Sequence, residues 1–257
     1  MIIGRIIRLF YIGINLAKLH ITSYIASLIN GVLWFTLIFV PTIFLTGRIE
    51  SLFLLLPGVF ALTVSSSGMW TATEFLRWYV DQGLTDMFRE NGLNVFHYMV
   101  SGVFIDILFS FLGYILTAIV ATYYLSIDIL LIIPHQPIYM LIAILYSISI
   151  YLFYGALIGY IYTVTRISGV WTNIIQMMIA IGTIVPPNVF PNPWISIVNP
   201  ASIASELLRA SYGYNTLGIE LLLAITPIAF ILNMIISYII CRLGDRYIAR
   251  YGIEYRA

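Results

Sequence analysis

The sequence predicts an all-α protein that crosses a membrane six times, and three observations lead there. Of its 257 residues, 61% are hydrophobic and only 9% charged, with a mean hydropathy of +0.99; a soluble domain carries roughly 25% charged residues. The 12 Lys and Arg and 11 Asp and Glu gather in a few clusters separated by long uncharged runs. That is the pattern of repeated apolar spans of about 20 residues. The net charge of +1 excludes the basic footprint of a nucleic-acid binder, and the only cysteine, Cys241, excludes an intrachain disulfide or a thiolate metal cage.

Residues 1–21 form the first element. Arg5, Arg8, Asn15 and Lys18 fall within one arc of a helical wheel, and no small-residue cleavage site follows. An interfacial helix is expected, its basic arc toward anionic headgroups; a cytoplasmic extension of the first span is the alternative. The six-span region occupies 22–257, with spans near 22–46, 52–73, 95–125, 138–163, 168–186 and 217–241. Arg242, Arg246 and Arg250 recur every four residues after the last span and read as headgroup anchors. The informative connections are a charged segment at 75–94 and a Pro-, Asn- and Ser-rich one at 187–216.

Orientation follows from the basic residues of the short loops. A cytoplasmic N-terminus puts ten of the twelve inside and leaves only Arg48 and Arg209 outside. Both termini and segment 75–94 are then cytoplasmic, segment 187–216 is extracytoplasmic, and the plasma membrane is the expected location.

No catalytic constellation is legible. G-x-x-x-x-G-K-[ST], G-x-S-x-G and H-E-x-x-H are all missing, and Lys18 is the only lysine. His20 and His97 are placed on the cytoplasmic side and His135 on the other, so no shared metal is expected. Membrane depth holds a few polar and small residues. Thr63, Ser65, Ser66, Ser67 and Thr71 crowd the second span, and Gly155 and Gly159 form a G-x-x-x-G in the fourth, which reads as helix packing. Tyr139, Tyr146 and Tyr154 lie loosely on one face of that span, either lining a pathway or packing. Asp106 either faces a cavity or lies near enough to the cytoplasmic interface to be hydrated.

Glu74, Arg77, Asp81, Asp86, Arg89 and Glu90 alternate with aromatic and apolar residues, suiting a short amphipathic helix that presents charges to a cytoplasmic partner; a solvated extension of the second span is the alternative. The outer segment carries five prolines from Pro186 to Pro200, which forbids a continuous helix. It stays apolar, so it should fold back into the membrane, with helix starts at Pro193 and at Asn199-Pro200. Glu206 and Arg209, three apart, share a helix face. They are expected to hold this cap together, with snorkelling of Arg209 to the headgroups as the alternative.

Gly182, Pro187, Pro193, Asn199, Pro200, Leu208 and Arg209 follow the Gly-Pro-Pro, Asn-Pro, Leu-Arg pattern of a known family, and Asp81-Gln82-Gly83-Leu84-Thr85-Asp86 approximates its first cytoplasmic loop. In these motifs and in topology the chain resembles the permeases of ABC transporters of the type-2 exporter family. A Pro expected after that loop is replaced by Asn91-Gly92. The resemblance implies a coupling helix between spans two and three and re-entrant helices between spans five and six. It also implies a second permease copy or a similar permease, packed through the first and fifth spans, and two separate ATPase subunits. Those subunits would bind the ATP and Mg; none is expected on this chain. Coupling would fall to the six charged residues from Glu74 to Glu90, and the pathway or its gate to Asp106, Tyr139, Tyr146 and the outer segment. The competing expectation from another class is a self-sufficient secondary transporter or channel with Asp106 as an ion or proton site.

Overall fold

The computed structural model describes residues 11–251 except 12, 16, 19, 49, 82–93, 127 and 166–168. Asp86, Arg89 and Glu90 of the expected coupling segment, with Arg5 and Arg8, lie outside the described residues, as does the side chain of Asp81. The described residues form helices and turns, with no strand among them.

Among the described residues, seven helices with defined bounds follow one another: α1 (Ile21–Thr46), α2 (Glu50–Asp81), α3 (Val95–Tyr124), α4 (Pro137–Thr165), α5 (Gly169–Ile184), α6 (Pro200–Ser211) and α7 (Ile219–Tyr251). Each of the six apolar stretches expected to span falls on a helix, and α2 continues past the expected end at 73 to Asp81, so residues 75–81 of the charged segment extend the second helix instead of starting a separate one. α2, α3, α4 and α7 are each long and apolar enough to cross a bilayer, which makes this an α-helical membrane protein. α5 is a 16-residue apolar helix, about 24 Å at 1.5 Å per residue. α7 runs on past the expected end of the last span to Tyr251, so Arg242, Arg246 and Arg250 lie exposed on a continuous helix.

Local chemistry sets the boundaries. α1 ends at Gly47, whose left-handed φ of 64° lets its amide reach the Ile43 carbonyl. α3 begins where the Asn94 side chain accepts the His97 amide at 3.1 Å. α4 and α6 both start on proline, a residue whose missing N–H costs nothing in the first turn. Ahead of α1, residues 13–15 and 17–18 are helical, with Gly13 and Ala17 buried and Asn15 and Lys18 exposed. A Cβ at Gly13 would collide with the Ser101 carbonyl, so this turn lies directly on α3.

α2 is the central helix. It packs on α3, α4, α5 and α6, and its core side chains Leu52, Leu56, Phe60, Val64 and Met69 are at most 1% exposed. The G-x-x-x-G of α4 faces it: a Cβ at Gly155 would meet the Gly68 carbonyl and Met99 Sδ, and one at Gly68 would strike the Tyr151 carbonyl. The two backbones therefore touch at this crossing, which the small residues allow. α1 packs along α3 and only lightly on α2. Its Ile21, Ile25, Ile29 and Leu33 form an exposed apolar stripe, as do Val170, Trp171, Ile174, Met177, Met178 and Ile181 on α5.

Candidate functional site

Two constellations of polar side chains lie within the helical body. The first is the wedge made by α6. Pro186 and Pro187 end α5, and they also remove the N–H groups that would have bonded the carbonyls of Gly182 and Thr183. The chain then turns through two 3₁₀ segments, Pro187–Val189 and Pro193–Val198, and re-enters as α6. Both expected helix starts occur there: Asn192 accepts the Trp194 amide at 3.0 Å ahead of the Pro193 turn, and Asn199 accepts the Ala201 amide at 3.0 Å ahead of Pro200. All residues of α6 after Pro200 are buried.

α6 supplies the donors that the prolines withhold. Ser202 donates its hydroxyl to the Gly182 carbonyl at 2.6 Å. Arg209 donates from one terminal nitrogen to the Thr183 and Ile184 carbonyls at 2.6 and 3.1 Å. The Arg209 Nε–H reaches the Leu54 carbonyl of α2 at 2.7 Å, and the other terminal nitrogen bonds Glu206 Oε1 at 2.8 Å. Glu206 uses its second oxygen to accept the Thr216 amide and hydroxyl at 2.8 and 3.1 Å and the Leu217 amide at 3.0 Å. Both side chains have 0% exposure. Arg209 therefore does not snorkel: it pins α6 to the C-terminus of α5 and to α2, while Glu206 pins the loop that leads into α7. The guanidinium is a permanent cation, so its bond to Glu206 is charge-assisted.

Two of the tyrosines singled out from the sequence belong to this wedge. Tyr146 is 1% exposed, donates to the Pro200 carbonyl at 3.1 Å and accepts from Asn233 of α7 at 3.2 Å. Tyr154 donates to Asn199 Oδ1 at 2.6 Å. Both tie α4 to the start of α6. Tyr139 lies half-buried in the first turn of α4, its amide bonded to the Gln136 carbonyl at 3.2 Å. Pro187 is buried, whereas Pro193 is half-buried on the outer turn.

The second constellation surrounds Asp106, which is 7% exposed and lies on α3 roughly 16 Å along the axis from its first residue. Its Oδ1 accepts from the Tyr24 hydroxyl of α1 at 2.7 Å. Its Oδ2 accepts from Thr71 of α2 at 3.0 Å and from Tyr151 of α4 at 2.5 Å. One carboxylate thus gathers hydroxyls from three other helices. Beside it lies a cavity of about 110 Å³ between α1, α2 and α3. Asp106 lines this cavity. Thr71 was legible in the polar stripe of the second span; Tyr24 and Tyr151 were not, because neither keeps a helical spacing to Asp106.

Glu74 and Arg77 are exposed on the last turns of α2. Among the described residues no group of three or more His, Cys, Asp and Glu is placed to hold a metal ion. Comparison with protein-family models, curated proteins and solved structures finds no match to this chain.

Proposed function

We propose that this chain is the membrane-spanning permease subunit of an ATP-driven exporter of the ABC type, working as a dimer with two separate ATPase subunits. The observation that carries this reading is the wedge. A proline-broken segment between α5 and α7 folds back as a helix that is buried from Ala201 to Ser211 and is locked by Glu206 and Arg209. A cap of this kind closes the outer end of a pathway without leaving backbone groups unbonded in lipid. In this reading α1 and α5 also cross the bilayer, giving six spans, both termini lie in the cytoplasm, and the exposed stripes of α1 and α5 meet a second permease.

The mechanism then runs through α2. Its 32 residues form a rod about 48 Å long. One end carries Glu74 and Arg77 and leads into segment 75–94; the other holds Leu54, on which Arg209 is docked. Closure of an ATPase dimer against the coupling segment would push this rod along its axis. The push would reach the outer cap through the Leu54 and Arg209 contact, and the two membrane halves would rock between access states. Glu74, Arg77, Asp81, Asp86, Arg89 and Glu90 are the contacts proposed for the ATPase groove.

Charge reversal tests the coupling contact. Protein solubilised from its own membranes should bring ATP hydrolysis with it, and Arg77→Glu should lower the retained activity several-fold while the permease itself still elutes as a folded, monodisperse species. Equal activity in the variant and the wild type would remove Arg77 from the interface. The second reading, a self-sufficient transporter, is favoured by one observation: Asp106, well inside α3, lies beside a cavity. Uptake driven by an ion gradient into vesicles holding this chain alone would select it.

A further inference from the structure

The cavity beside Asp106 has a wall chemistry that points to a ligand. Phe60, Phe109 and Tyr114 supply aromatic faces, and Ser27, Ser67 and Ser110 supply hydroxyls. Thr63 and Thr117 also line it, but their hydroxyls are used on the carbonyls of Val59 and Gly113 one turn back. Among the described residues the three serine hydroxyls have no such partner, and none of them is a sealed buried orphan. They remain available to whatever enters.

Asp106 sets the sign of that ligand. Its bonds come from three neutral hydroxyls, and among the described residues no Lys, Arg or His pairs with it. A carboxylate offers about four acceptor positions, so one on Oδ1 remains. A buried carboxylate with hydrogen bonds but no counter-charge, beside aromatic rings and free hydroxyls, is complementary to a positive group carrying N–H donors. The cavity volume of about 110 Å³ suits an ammonium group with a few attached carbons, and the cavity is not fully enclosed, so a larger apolar body could extend outward.

The geometry points to a binding site for an organic ammonium ion in this cavity, with Asp106 as counter-ion and Ser27, Ser67 and Ser110 as hydrogen-bond acceptors. The binding is independent of the ATP-driven reading and stands or falls without it. The ammonium can arrive as a free amine or as the headgroup of an aminophospholipid, since both present the same group.

Calorimetric titration of the full chain in nanodiscs of phosphatidylglycerol, which lacks an amine, tests the site with benzylammonium chloride as probe. Saturable binding is expected, with at least a tenfold preference over the neutral isostere benzyl alcohol. Asp106→Asn keeps the shape and removes the charge, and it should weaken binding at least tenfold. Ser110→Leu leaves the Asp106 bonds in place and fills the cavity, so it should abolish binding even if Asp106→Asn folds poorly. Competition when phosphatidylethanolamine replaces part of the lipid identifies the headgroup as occupant; its absence identifies the free amine. Equal affinity for benzyl alcohol, full affinity in Ser110→Leu, or a signal reproduced by sodium chloride alone would each overturn the site.

Discussion

Arg209→Ala is expected to be the most damaging single substitution outside the helix crossings, costing about 3–5 kcal/mol of stability. The side chain has 0% exposure and makes four hydrogen bonds, three of them to the carbonyls of Leu54, Thr183 and Ile184. Alanine strands those carbonyls and leaves Glu206 charged without its cation in a site that excludes water. Glu206→Ala strands the guanidinium and frees the amides of Thr216 and Leu217. Because the two losses share one network, the double variant should be far less destabilised than the sum of the singles. Arg209→Lys should rescue little, since one ammonium cannot replace a planar fork that bonds in three directions. Thermal denaturation in detergent, followed by size-exclusion profile, reads all four variants. Strictly additive small effects would show that the wedge does not depend on this pair.

The second large effect is expected where α2 and α4 touch. Gly155→Val should prevent the crossing, because even its Cβ meets the Gly68 carbonyl at 2.7 Å and overlaps Met99. Backbone cannot yield as a side-chain tip can, so the cost should reach or exceed the roughly 1–3 kcal/mol typical of overpacking. Gly68→Val meets the Tyr151 backbone and should do the same. Gly169→Ala serves as the control, since a Cβ there meets nothing within 4 Å among the described residues. Yield of monodisperse protein after solubilisation should fall sharply for the first two and stay level for the third. Cysteine cross-linking through the Gly155 face is expected to fail, because that face is buried inside the subunit.

The helices were legible because their signals are local. Long apolar runs, the glycine after Thr46, and the Asn-Pro pairs before α6 each act within a few residues. The pairing of Glu206 with Arg209 was legible for the same reason, three residues on one helix face. What those two residues bond to was not legible. The carbonyls of Thr183 and Ile184 lie far along the chain from Arg209, and Leu54 lies farther still. A partial signal existed in Pro186 and Pro187, whose missing N–H groups leave two carbonyls in need of outside donors. The Asp106 cluster shows the opposite limit. Asp106 stood out by charge alone, but its partners come from α1, α2 and α4, and only packing brings them together. Tyr146 and Tyr154 shared a helical face with Tyr139, a pattern equally suited to a pathway and to packing; their bonds to Pro200 and Asn199 place both in the wedge.

Native mass spectrometry of the assembly released from the protein's own membranes is the most direct measurement. The ATP-driven reading predicts two permease subunits, either two copies of this chain or one copy with a similar partner. Two further subunits should carry the nucleotide-binding loop that this chain lacks, and they should dissociate more readily in Arg77→Glu. A stable particle made of this chain alone, with no ATPase at any ionic strength that preserves its fold, would contradict it.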